Sequence, residues 1–254
     1  MTPDPHLLNA IRFLTVLPTP RAEGAPASDW LARAMKYFPL VGAGIGLACA
    51  VVFVVACHVW SPSIAALLAV TTSIVLTSAL HEDGLADTVD AFGGGWTIEK
   101  RLAIMKDSRI GTYGALALGL GCALRIAALA TLPPWAGATA LIAVHAAARA
   151  MPAFVMNRLA YAGDTAAMKV RYAEAPVPRD DIIFLLVIVA LAVIPLALIS
   201  FKSAVLGLVL GALLGLLLAR WARRMIGGYT GDVLGAIEQV FEIGFLLGVA
   251  AVLR

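Results

Sequence analysis

Phe184–Ser200 reads FLLVIVALAVIPLALIS and Ala204–Ala219 reads AVLGLVLGALLGLLLA, and neither run contains a charged side chain. A helix must offer roughly 20 mostly apolar residues to cross the hydrocarbon core of a bilayer, where every backbone amide has to be paired within the segment. The rest of the chain has the same character. Of its 254 residues 61% are hydrophobic and 14% charged, with a mean hydropathy of +0.91, outside the range of soluble globular domains. The expected fold class is all-α, a polytopic transmembrane helical bundle with the lipid bilayer as its solvent.

Seven stretches read as spans: Tyr37–Cys57, Ser63–Leu80, Thr112–Thr131, Trp135–Val155, Ile182–Ile199, Ser203–Ala219 and Val233–Leu253. Leu7–Leu17 is too short to span and predicts an N-terminal helix that lies at the interface or packs against the bundle. Small residues at helical spacing, Gly42, Gly44 and Gly46 in the first span and Gly207, Gly211 and Gly215 in the sixth, predict close helix packing. The whole of 1–254 is read as a single integral membrane domain. Within it are an N-terminal segment (1–36), a long polar loop (81–111) and a second polar loop (220–232).

Basic residues supply an orientation, because lysine and arginine concentrate in short cytoplasmic loops. Arg12, Arg21, Arg33 and Lys36 precede the first span; Lys100, Arg101, Lys106 and Arg109 follow the second. Arg158, Lys169, Arg171 and Arg179 follow the fourth, and Arg220, Arg223 and Arg224 follow the sixth. The alternate connections hold only Lys202. The long polar loops are therefore expected on the cytoplasmic face, with Arg254 outside. A net charge of +3 argues against nucleic acid as a partner. Cys49, Cys57 and Cys122 sit in apolar runs without ligand spacing and read as core residues. The N-terminus lacks the basic start and cleavage site of a secretory signal, so it is expected to be retained.

After the second span comes His81-Glu82-Asp83-Gly84-Leu85-Ala86-Asp87-Thr88-Val89-Asp90. If the span continues through it, Asp83, Asp87 and Asp90 lie within roughly 60° of one another on one helix face. Three carboxylates there repel, and a cation or basic side chains must compensate; an all-oxygen set favours Mg2+ or Mn2+. A solvated acidic helix end is the plainer alternative. Lys106-Asp107-Ser108-Arg109 with Gly111 and Gly114 opens the third span and suggests a phosphate clamp at a helix N-terminus, or simply a basic anchor. In the last span Asp232 reads as a helix cap, while Glu238 and Glu242 share a face at membrane depth. Arg125 and Arg149 are candidate partners for them, so substrate contact and mutual salt bridging both remain open.

Taken together, His81–Asp90, Met105–Gly114, Gly227–Ala236 and the N-terminal Phe13–Pro20 segment FLTVLPTP resemble the cobalamin synthase, or adenosylcobinamide-GDP ribazoletransferase, family. The resemblance implies a bacterial inner-membrane, Mg2+-dependent transferase that joins adenosylcobinamide-GDP to α-ribazole or its 5'-phosphate and releases GMP. Carried over residue by residue, it places catalysis on Glu82, Asp83, Asp87 and Asp90, and metal on Asp83, Asp87 and Asp90. Lys106, Asp107, Ser108, Arg109 and Asp232 match the family's later motifs and would contact substrate; Arg149, Glu238 and Glu242, read from their polarity within the spans and not from the resemblance, are further substrate-binding candidates. Other enzymes of nucleotide-loop assembly, or a second copy of the chain, are expected partners. Two other classes are alternatives. CDP-alcohol phosphotransferases use DxxDGxxAR, but Leu80 stands where the first aspartate belongs and Asp87-Thr88 replaces Ala-Arg. A cation-coupled transporter would favour acids at the midplane and an inverted repeat, and neither is evident.

Overall fold

The computed structural model describes residues 4–20, 29–163 and 176–253; Arg21, Lys169, Arg171 and Arg254 of the charge pattern lie outside the described residues. Among these residues all regular structure is helical, with no strand and one isolated bridge between Tyr161 and Tyr229. The helices are α1 (Pro5–Leu14), α2 (Trp30–Ala34), α3 (Phe38–Cys57), α4 (Pro62–Thr77), α5 (Leu80–Gly94) and α6 (Ile98–Met105). They are followed by α7 (Thr112–Ala130), α8 (Pro134–Ala148), α9 (Met151–Met156), α10 (Arg179–Ile199), α11 (Phe201–Ile226) and α12 (Gly231–Leu253).

Among the described residues six segments are long and apolar enough to cross a membrane, Trp30–Cys57, Thr112–Ala130, Pro134–Met156, Arg179–Ile199, Phe201–Ile226 and Gly231–Leu253, and the bent pair Pro62–Thr77 with Leu80–Gly94 passes the same test together, for up to seven spans. The chain is a multi-pass membrane protein. Its lipid-facing surface is apolar, as α10 illustrates with Ile183, Leu186, Val187, Leu191 and Leu198 all exposed.

The expected second span differs. It does not run straight into the acidic segment; α4 ends at Thr77 and α5 leaves it at 90°. Two consecutive residues make the corner, Ser78 at φ 52° and Ala79 at φ 57°. Ala79 N–H donates to the Ile74 carbonyl at 2.9 Å, closing α4, and the Ala79 carbonyl accepts from Asp83 N–H at 2.9 Å, opening α5. A left-handed backbone is disfavoured for residues with a Cβ, so neither Ser78 nor Ala79 announces the corner as glycine would.

Helix packing follows the small residues. A Cβ on Gly42 would stand 2.2 Å from the His145 carbonyl oxygen, and one on Gly46 2.4 Å from that of Leu141, which fixes α3 closely on α8. Gly207 and Gly211 of α11 face Phe245 and Phe241 of α12. Gly44 is the exception, with nothing within 4 Å. The N-terminal α1 packs through buried Ala10 and Leu14, and Phe13 stacks on Phe38 with ring centroids 5.7 Å apart.

Candidate active site

The corner at Ser78–Ala79 sends α5 across the start of α12. At that crossing a Cβ on Gly84 would lie 2.6 Å from the Asp232 carbonyl oxygen, and one on Gly235 3.3 Å from the His81 Cα. The lack of side chains at these two glycines therefore sets Asp83 beside Asp232, although 149 positions separate them in sequence. Asp232 does not cap α12. The Thr230 hydroxyl takes that position, accepting from Val233 N–H at 3.3 Å, and Asp232 stands in the first turn.

Asp83, Asp87 and Asp232 line a cavity of about 810 Å3 together with Lys106, Ser108 and Tyr161. Glu82, Asp107 and Thr230 also contribute to its wall. Arg109 is turned away: its side chain is 86% exposed and pairs with Asp107 at 2.7 Å. Those hydrogen bonds hold the Asp107 carboxyl down to about 2. The cavity is thus lined by carboxylates and by the exposed Lys106 ammonium.

Asp90 shares the helix face with Asp83 and Asp87 but has other partners. Its two carboxylate oxygens accept from Gly111 N–H at 2.7 Å and Gly114 N–H at 2.8 Å. A Cβ at either glycine would approach these oxygens to 2.4 and 2.3 Å. Asp90 therefore caps α7 from outside, where negative charge meets the positive end of the helix dipole. Two of the amides expected to receive phosphate are already satisfied.

Glu82, Arg149, Glu238 and Glu242 belong to a buried ion-pair network behind the cavity. Arg125 donates to Glu242 Oε2 at 2.9 Å and to Glu82 Oε1 at 3.1 Å. Arg149 donates to Glu242 Oε1 at 3.0 Å, and His145 Nδ1 lies 3.0 Å from the same oxygen. His81 Nε2 stands 2.9 Å from Glu238 Oε2, within ion-pair distance though not aligned for a hydrogen bond. No side chain in the network is more than 8% exposed. It joins α5, α7, α8 and α12. Mutual pairing of the glutamates with Arg125 and Arg149, one of the two readings the sequence leaves open, is thus the observed arrangement. His145 escaped the sequence reading, although its position one turn before Arg149 in an apolar run is a usable signal; Tyr161 carries no such signal.

Donor chemistry decides whether a divalent ion fits. Asp83, Asp87 and Asp232 offer hard oxygen ligands to one cavity, with no thiolate or imidazole among them. Among the described residues, no three His, Cys, Asp or Glu are gathered into a ready-made ligand set. Mg2+ is usually held by one or two carboxylates plus substrate phosphate oxygens and water, so a loose acidic wall suits it better than a preformed cage would. The residues present fit the ion on that basis.

The family model described as cobalamin-5-phosphate synthase matches residues 6–250. This chain belongs to that family. It is 46% identical to the adenosylcobinamide-GDP ribazoletransferase of Bradyrhizobium diazoefficiens, over 95% of this chain and 92% of the relative. The corresponding protein of Shewanella piezotolerans is 43% identical over 93% and 91%, and that of Azorhizobium caulinodans 42% identical over 94% and 93%. No solved structure matches. Membership of the cobalamin synthase family removes the CDP-alcohol phosphotransferase and transporter readings.

Proposed function

We propose that the adenosylcobinamide-GDP ribazoletransferase activity of this family member is carried by the cavity between α5, α6, α7 and the start of α12. The observation that supports this reading is the convergence of Asp83 and Asp87 with Asp232, distant in sequence, in a cavity that Lys106 also lines. The substrates are adenosylcobinamide-GDP and α-ribazole or its 5'-phosphate, and the products are the joined nucleotide loop and GMP. On the positive-inside pattern the cavity faces the cytoplasm of a bacterial inner membrane.

Phosphoryl transfer needs charge on the non-bridging oxygens neutralised and the attacking hydroxyl aligned with the leaving group. Mg2+ would be held by two of Asp83, Asp87 and Asp232, in place of the Asp83, Asp87 and Asp90 set expected from the resemblance. When bound, it supplies positive charge to the diphosphate. Lys106 places a cation toward the departing GMP phosphate, and Ser108 offers a hydroxyl donor beside it. Whichever wall aspartate does not hold the ion is placed to accept the ribose proton. Asp90, Glu82, Glu238, Glu242 and Arg149 act by positioning: Asp90 fixes α7 and the loop that carries Lys106, and the others lock α5 onto α7, α8 and α12. Asp107 and Arg109 pair with each other at the rim.

The test is stoichiometric GMP release from adenosylcobinamide-GDP by the purified enzyme, titrated with Mg2+. Asp87→Asn and Asp232→Asn should each lower turnover by about 100-fold or more, the scale at which an electrostatic contact to a transition state is lost. Near-normal turnover in both would sink the assignment.

A further inference from the structure

Away from the acidic cavity, a groove of about 870 Å3 runs between the α9 region and the last turns of α11. Its floor is apolar: Met151 and Val155 are buried, and Phe154 and Leu216 are exposed on segments that cross the membrane. Its rim is basic. Arg158 stands on one wall, and Arg220, Arg223 and Arg224 stand on the other. All four are exposed, and among the described residues none has a carboxylate within ion-pair distance. The basic rim lies at the same end of the bundle as the acidic cavity, because α11 leads through Gly227–Thr230 directly into Asp232.

Arginines near a helix C-terminus are favoured by the helix dipole, which accounts for Arg223 and Arg224 in the last turn of α11. It does not account for Arg158, which lies in the turn after α9 and lines the same groove. The transverse order, hydrocarbon floor below and guanidinium rim above, has the polarity of a phospholipid, with acyl chains in the membrane and an anionic headgroup at its surface. Guanidinium groups bind phosphate oxygens in pairs of parallel hydrogen bonds, and basic pockets between transmembrane helices are a recognised setting for anionic lipid headgroups.

We propose that this groove is a binding site for one anionic phospholipid, its phosphate held between Arg158 and the Arg220, Arg223 and Arg224 rim and an acyl chain laid over Leu216 and Phe154. The site rests on the membrane-spanning architecture and not on the assignment of the catalytic cavity. Native mass spectrometry of the full-length protein in mild detergent provides the measurement, with phosphatidylglycerol and phosphatidylcholine of matched chains as probes. The expected result is a one-lipid adduct that prefers phosphatidylglycerol by about tenfold or more. It should fall to the phosphatidylcholine level in R158Q/R224Q and separately in R220Q/R223Q, with GMP release in detergent unchanged in both.

Equal retention of the two lipids, or retained preference in both double variants, overturns the proposal. Displacement of the adduct by inorganic phosphate, or by glycerol phosphate lacking acyl chains, would assign the groove to a free phosphate compound and also overturns it. A change from one oligomeric mass to another without loss of lipid preference would make the groove an interface between copies. Loss of GMP release with lipid binding intact would make it a substrate path. Leu216→Trp, which fills the floor without touching a charge, supplies an independent check: it should weaken lipid retention while leaving the arginines in place.

Discussion

Two acidic regions meet on α5, and adjacent residues fall into different ones. Glu82 borders the cavity but is buried and paired with Arg125 at 3.1 Å, whereas the exposed Asp83 lines it beside Asp87 and Asp232. The same division holds on α12, where Glu238 and Glu242 are buried among His81, Arg125, His145 and Arg149 and Asp232 faces the cavity. A carboxylate near hydrocarbon is costly until something compensates its charge. In the network the compensation is built from the protein's own arginines. In the cavity it is left largely to what binds there, and that difference separates the structural cluster from the proposed catalytic one more sharply than burial alone.

The strongest way to break the comparison is to remove a partner from the network. Arg125→Met leaves Glu82 and Glu242 without one hydrogen bond each in a buried setting, and loss of one member of a buried pair costs about 3–5 kcal/mol. Thermal denaturation in detergent should show a large fall in Tm, with poor recovery of folded protein. A Tm equal to that of the unaltered chain would mean that the network does not hold α5, α7 and α12 together.

The complementary change lies one residue away from Glu82. Asp83→Asn should lower GMP release by about 100-fold, equivalent to about 3 kcal/mol of transition-state stabilisation, while Tm stays level or rises as repulsion among Asp83, Asp87 and Asp232 is relieved. If Asp83→Asn instead destabilised the protein as Arg125→Met does, the two regions would not be distinct.

Much of this was legible in the sequence because it rests on periodicity. Charge-free runs located the spans, and spacing of i, i+4 and i+7 put Asp83, Asp87 and Asp90 on one face. The division between the two regions was not legible, since it depends on contacts between helices far apart in sequence. Nothing local to Asp232 says that Gly84 admits its backbone, or that Thr230 rather than Asp232 caps α12. Helical phase groups Asp90 with Asp83 and Asp87, because phase alone cannot show that Gly111 and Gly114 bring their amides to it.

Asp90 therefore supplies an intermediate test. In Asp90→Asn the amide nitrogen cannot accept from a backbone N–H, so one of the two bonds to Gly111 and Gly114 is lost and the other loses its charge. The expected cost is about 1–3 kcal/mol, seen as a lower Tm, with the Mg2+ concentration for half-maximal activity essentially unmoved. A shift of about tenfold or more in that concentration with unchanged Tm would return Asp90 to the metal ligands and merge the two roles.

The smallest effect probes the corner that makes the comparison possible. Ala79 holds φ at 57° next to Ser78 at 52°, and a left-handed conformation costs a residue with a Cβ about 1–2 kcal/mol. Ala79→Gly removes that cost but adds freedom to the unfolded chain, which takes back about 0.4–1 kcal/mol. The net expectation is a gain of about 0.5–1 kcal/mol and a Tm a few degrees higher, provided the hydrogen bonds from Ala79 N–H to Ile74 and from Asp83 N–H to Ala79 persist. Turnover should be preserved, because Asp83 and Asp87 are carried by α5 and α5 is anchored on α12 at Gly84. A lower Tm with reduced turnover would show that the stiffness of Ala79, and not the seating of Gly84 against Asp232, keeps the acidic helix at its angle. The cavity would then be held from the corner, and the network behind it would be secondary.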